Sequence, residues 1–181
     1  MSKAFLSIRD MCYIAIFTAA IVVLSQIRIP MPLGVPLTLQ TFVIPLAGVV
    51  LGAKRGALSV CVYVLLGLLG LPVFSGGGAI SGFGALFGVT GGFIFAFPLY
   101  AFAAGWGADH DNTVLLIIGL FSGMIVTYLL GMIQFSLVSG HGLRVARSVV
   151  VWPFLPTELL KLAGVWIVGP RIRRQVEGIG T

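Results

Sequence analysis

Two ionisable residues stand where the surrounding sequence gives them no water. Glu158 and Lys161 fall in Pro-Phe-Leu-Pro-Thr-Glu-Leu-Leu-Lys, inside an apolar stretch over about 148–168. Each charge at membrane depth costs at least about 2.5–3.5 kcal/mol on insertion scales, so such residues face a partner or a cavity. A spacing of three puts both on one helical face, where they partly neutralise each other. Pro153 and Pro156 stand just before them. Each proline removes a backbone donor and frees a carbonyl one turn back. A broken helix at bilayer depth is tolerated where it is buried in protein or lines a cavity. A structural ion pair and a ligand site both use these residues, and the prolines favour the ligand site. A carboxylate accepts N–H bonds and an ammonium donates to a carbonyl, which suits a polar head on an apolar body.

Two loops are placed to complete such a site. Gly-Val-Pro-Leu-Thr-Leu-Gln brings Thr38 and Gln40 to the head of the second apolar helix, where free N–H groups point outward. The glycine-rich run after Ser75 offers backbone donors at Gly76, Gly77 and Gly78 without side-chain bulk, as donors to a ligand carboxylate. Tyr63, Phe74, Phe87 and Phe93 are candidate apolar walls. No GxxxxGK[ST] phosphate loop occurs. Cys12 and Cys61 sit in apolar runs as small packing residues, without a CxxC or His-rich spacing, so no metal site is assigned. His110 and His141 fall in loops, which leaves Glu158 without the second group that general-base catalysis demands. No catalytic residue is assigned.

The elements that position these residues are membrane spans. Of the 181 residues, 59% are apolar and 9% charged, with a mean hydropathy of +1.13. Soluble domains are about 45–50% apolar and about 25% charged. The net charge of +6 does not point to nucleic acid, because the cations are scattered between apolar runs rather than gathered on one face. A bilayer crossing needs about 20 mostly apolar residues. Spans are expected at about 11–27, 38–53, 57–71, 85–107, 114–137 and 148–168, six crossings in a single transmembrane domain over 1–181 with no extramembrane domain. With both termini on one side, that side holds seven cations (Lys3, Arg9, Lys54, Arg55, Arg171, Arg173, Arg174) against three on the other (Arg28, Arg144, Arg147). The positive-inside bias then places both termini in the cytoplasm of a multi-pass protein of the cell membrane.

Small residues recur at a spacing of four: Gly48, Gly52 and Gly56; Gly84, Gly88 and Gly92; Gly119 and Gly123. That spacing lets helix backbones approach where lipid offers no hydrophobic drive for association. Ala15 and Ala19 form a similar pair on the first helix, for internal packing or for docking another membrane subunit.

The segments IPMPLGVPLTLQ, LAGVVLGAKRGALSVCVYVLLGLLGLPVF, GVTGGF and PFLPTELLK together resemble the BioY family, the substrate-binding (S) components of energy-coupling-factor biotin transporters. The resemblance implies an all-α, six-helix S-component fold with a ligand cavity near the outer face. Biotin would be the transported substrate, with no cofactor. It further implies two kinds of partner, a transmembrane coupling protein and two cytoplasmic ATPases. The Ala-x-x-x-Ala docking motif of S components matches Ala15 and Ala19. Glu158 replaces the family's usual Asp, and Lys161 matches its lysine. Gly78 and Ile94 stand where some members have Asn and Arg, and Gly-Val-Thr-Gly-Gly-Phe replaces Gly-Pro-Thr-Gly-Gly-Tyr. These departures leave room for a relative of biotin such as lipoate. A ligand-free structural subunit and an intramembrane enzyme using Glu158 are the readings from other classes.

Overall fold

The first helix, α1 (Ile8–Ser25), starts at a reciprocal cap. Ser7 Oγ accepts the Asp10 N–H and Asp10 accepts the Ser7 N–H, both at 3.1 Å. The structure, a computed structural model, describes residues 6–31, 34–75 and 82–178. After α1 come a hairpin of β1 (Arg28–Ile29) and β2 (Leu37–Thr38), then α2 (Gln40–Leu51) and α3 (Ala53–Leu68). A short α4 (Phe83–Phe87) leads to α5 (Gly91–Asp109) and α6 (Thr113–Ser139). The chain closes with α7 (Leu143–Ala146), a π-helical turn (Arg147–Val151) and α8 (Leu155–Gly178). Among the described residues α1, α5 and α6 are each long and apolar enough to cross a membrane. The α7–π segment and α8 pass together as a pair bent by 51°.

Several boundaries differ from those expected, each for a local reason. The second helix stops at Leu51 because Gly52 takes a positive φ of 83°, and α3 begins at once. Asp109 Oδ2 accepts the Ala53 N–H at 3.0 Å, so Lys54 and Arg55 lie in the first turn of α3 rather than in a loop. The expected 85–107 span is divided at Gly88, and Gln134 Nε2 donates to the freed carbonyls of Leu86 (2.6 Å) and Gly88 (2.9 Å). The last span is broken at 152–154, beside Pro153, and then continues through Pro170 to Gly178 instead of ending near 168. Packing sustains it past the proline. A Cβ on Gly169 would stand 2.6 Å from Val49, and Arg173 beyond it pairs with Asp109 at 3.0 Å and donates to Val49 O at 3.3 Å.

The glycines hold the bundle tight, as their spacing suggests. A Cβ on Gly48 would fall 2.1 Å from Ala101 O, and one on Gly119 would fall 2.3 Å from Ala103 O. Thus α5 lies backbone to backbone against α2 and α6. Gly84 is different, with no described atom within 4 Å of such a Cβ. On α1 the inward face is Ile14, Thr18, Ile21 and Ser25, and Thr18 donates to Ser59 O on α3 at 3.0 Å. Ala15 and Ala19 lie on the outward face, and Cys12 is exposed there too rather than packed inside. Large apolar side chains face outward on α1, α5, α6 and α8, among them Ile16, Phe95, Ile118 and Leu160. Such surfaces suit lipid, not water.

Candidate ligand-binding site

A cavity of about 510 Å³ opens beside the hairpin and reaches inward to α8. That volume falls within the roughly 300–1,000 Å³ of small-molecule sites. The second helix is only 12 residues long, about 18 Å at 1.5 Å per residue. It therefore ends well short of a bilayer's thickness, and β2 with the first turn of α2 lines the space beyond its N-terminus. Thr38, Gln40 and Thr41 lie there.

The polar end is a closed network. Lys161 Nζ donates to Thr38 O (2.7 Å), Thr41 Oγ1 (2.9 Å) and Glu158 Oε2 (3.4 Å). Thr41 Oγ1 in turn donates a hydrogen bond to Glu158 Oε2 at 2.7 Å, and the Tyr128 hydroxyl donates to the same oxygen at 3.4 Å. Glu158 is 1% exposed and Lys161 11%. The pair owes its position to the break at 152–154, which puts Glu158 in the first turn of α8, rather than mid-helix, with its N–H on Phe154 O at 2.8 Å. Glu158 Oε1 and the Tyr100 hydroxyl are both buried without a hydrogen-bond partner among the described residues. Buried polar groups are nearly always satisfied, and here the Tyr100 hydroxyl and the Glu158 carboxylate lie close enough to interact with each other.

The walls are aromatic. Phe74, Phe93, Ile94, Phe97 and Phe154 face the cavity. Phe93 stands edge-on to Tyr128 with centroids 5.9 Å apart, and Phe74 edge-on to Tyr63 at 5.5 Å. Gln40 Nε2 donates to the Tyr63 hydroxyl at 2.6 Å, which donates to Val73 O at 3.2 Å. This chain of bonds ties the head of α2 to the residue before Phe74. Thr38 Oγ1 completes it by donating to Gln40 Oε1 at 3.1 Å.

Thr38, Gln40, Phe74, Phe93 and Lys161 thus come together on the cavity surface. Glu158 and Tyr63 stand directly behind that surface, Glu158 touching Thr41, Tyr128 and Lys161, and Tyr63 touching Gln40 and Phe74. Phe87 is 69% exposed and faces away. Its position on the short α4, cut off from α5 at Gly88, turns it outward. Gly76, Gly77 and Gly78 lie outside the described residues. Thr41, Tyr128 and Arg28 are site residues that the sequence reading does not single out. Thr41 directly follows Gln40, and Tyr128 is the one tyrosine in α6, which are the signals available for them. His110 and His141 are exposed and away from the cavity lining.

Helices with apolar outer faces around a cavity that has one polar end and aromatic walls define a multi-pass helical membrane protein of the solute-binding kind. Comparison with known proteins makes this specific. Residues 1–178 match the BioY family, and the chain belongs to that family. It is 38% identical to the biotin transporter BioY of Thermotoga maritima, covering 92% of this chain and 96% of that one. With the biotin transporter BioY of Rhodobacter capsulatus the identity is 35%, over 91% and 93% of the two chains. Among solved structures it resembles the crystal structure of the S-component for biotin from an ECF-type ABC transporter. There the TM-score is 0.83 and the identity 29%, over 96% of this chain and 95% of that one. The fold is that of an S component.

Proposed function

We propose that this chain captures biotin from the outer side of the cell membrane as the S component of an energy-coupling-factor uptake transporter. The observation that carries the reading is the buried Glu158–Lys161–Thr41–Tyr128 network at the polar end of an aromatic cavity, in a chain of the BioY family. A ureido ring presents two N–H donors and one carbonyl, and this network brings the Lys161 ammonium and the Thr41 and Tyr128 hydroxyls to the cavity, backed by the Glu158 carboxylate. Phe74, Phe93 and Phe97 then take the thioether ring and aliphatic chain. The role is transport, not catalysis.

The six helical segments α1, α2, α3, α5, α6 and α7–α8 act as six crossings with both termini cytoplasmic, in keeping with the excess of Lys and Arg on that side. Import is driven by partners, a transmembrane coupling protein that docks on the outward Ala15–Ala19 stripe of α1, where small residues leave room for another helix, and two cytoplasmic ATPases. Calorimetric titration of the detergent-solubilised protein with biotin, beside lipoate, thiamine and riboflavin, tests the substrate. Saturable one-to-one binding of biotin is expected. Binding of lipoate but not biotin would reassign the ligand, the longer Glu158 side chain being the reason.

A further inference from the structure

Among the described residues two cations line the cavity, Lys161 and Arg28, and they are not equivalent. Lys161 is neutralised at the polar end, where it holds Thr38 O and Thr41 Oγ1 and its charge is balanced by Glu158 at 3.4 Å. Arg28 is exposed at the open end, and one of its five N–H donors reaches Ser75 O. Its charge has no counterion among the described residues. The sequence holds five acids. Asp10 pairs with Arg55, Asp109 and Glu177 with Arg173, Glu158 with Lys161, and Asp111 lines a separate cavity with Arg173 and Arg174. None of the chain's acidic side chains is thus left to meet Arg28, which stands ready for a carboxylate from outside.

The hairpin fixes where that meeting takes place. Arg28 pairs with Thr38 across the antiparallel ladder, so the two side chains share a face, and Thr38 O is the acceptor of Lys161. One two-residue ladder thus links the neutralised cation to the one without a counterion, and Phe74, Phe93 and Phe97 line the same cavity. We propose that Arg28 receives the carboxylate of the bound ligand at the open end of the cavity, and so sets the preference of this site for an anionic ligand over a neutral one of the same shape. The inference rests on the cavity being the biotin site. A guanidinium grips a carboxylate through two parallel N–H bonds, which a lysine or a loop amide does not reproduce.

The test titrates the full-length protein in detergent with biotin and with uncharged biotinamide, for the native chain, Arg28→Gln and Arg28→Lys. The native protein is expected to prefer biotin by about 5-fold, the upper end for an ion pair at an exposed position. Arg28→Gln should bind both ligands alike, at the level the native protein shows for the amide, while Arg28→Lys keeps part of the preference. Added salt should weaken biotin binding to the native protein and leave Arg28→Gln unaffected. An equal loss of affinity for both ligands in a normally folded Arg28→Gln would overturn the proposal, reducing Arg28 to a strut on Ser75. Unchanged biotin affinity in that variant would overturn it as well, by sending the carboxylate elsewhere. A native protein that is folded but binds neither ligand would overturn the biotin reading itself, which the two previous outcomes leave intact.

Discussion

Replacing Lys161 by Met separates what the buried pair does for the fold from what it does for the ligand. The ammonium lies 3.4 Å from a carboxylate that is 1% exposed, and is itself 11% exposed. Removing one member of such a pair leaves an uncompensated buried charge, at a cost of about 3–5 kcal/mol. Thr41 and Tyr128 still donate to Glu158 Oε2, which places this case at the lower end, about 3 kcal/mol. A charge-assisted bond to the ligand carbonyl is lost too, worth about 1.5–3 kcal/mol, or about 10- to 150-fold in affinity. Lys161→Met should therefore unfold earlier in detergent and bind biotin at least about 10-fold more weakly by calorimetry. Glu158→Gln combined with Lys161→Met removes both charges. It should recover most of the stability, because neutral replacements of a buried pair are tolerated. It should not recover the binding. A coupling of this kind is read from the full double-mutant cycle. Native stability and native affinity in Lys161→Met would refute the reasoning, since neither could survive if the pair were buried and in use.

Further substitutions probe the scaffold and the outer face of α1. Gly48→Leu drives a side chain into the Ala101 carbonyl, where a Cβ alone would sit 2.1 Å away; overpacking of about 1–3 kcal/mol should lower the unfolding midpoint, whereas Gly84→Ala, with open space around it, should not. Gln134→Leu strands the carbonyls of Leu86 and Gly88 and should cost about 1–3 kcal/mol in unfolding measurements, with weaker ligand binding because Ala85 of the same short helix lines the cavity. Ala15→Leu with Ala19→Leu changes exposed positions on α1, so biotin affinity should stay native while co-purification with a coupling protein is lost.

The ion pair is legible in the sequence because charge is so scarce. Glu158 and Lys161 are the only charged residues in the interior of an apolar run, and their spacing already puts them on one face. The apolar runs likewise announce the helices, and the glycine spacing announces the close contacts of Gly48 and Gly119. Hydroxyls are harder to read. A Thr or Tyr within a span commonly satisfies itself on its own helix, as Thr127 does by donating to Gly123 O at 2.8 Å. Nothing local distinguishes Thr127 from Thr41, whose partners are 117 and 120 residues away. Arg28 counts in the sequence only toward orientation, because its place on the cavity depends on the hairpin register. Gly169-Pro170 reads as a helix end, since proline removes a donor. The helix runs on because Gly169 packs against Val49 and Arg173 binds Asp109, contacts made with α2 and α5 that no window around residue 170 contains.

The most direct test of the central claim is a calorimetric titration of the purified, detergent-solubilised native chain with biotin. Saturable one-to-one binding, weakened in Lys161→Met and unaffected by excess riboflavin or thiamine, is the result expected of a biotin-capturing S component. A folded protein that gives no heat and no shift in unfolding midpoint with biotin would contradict it.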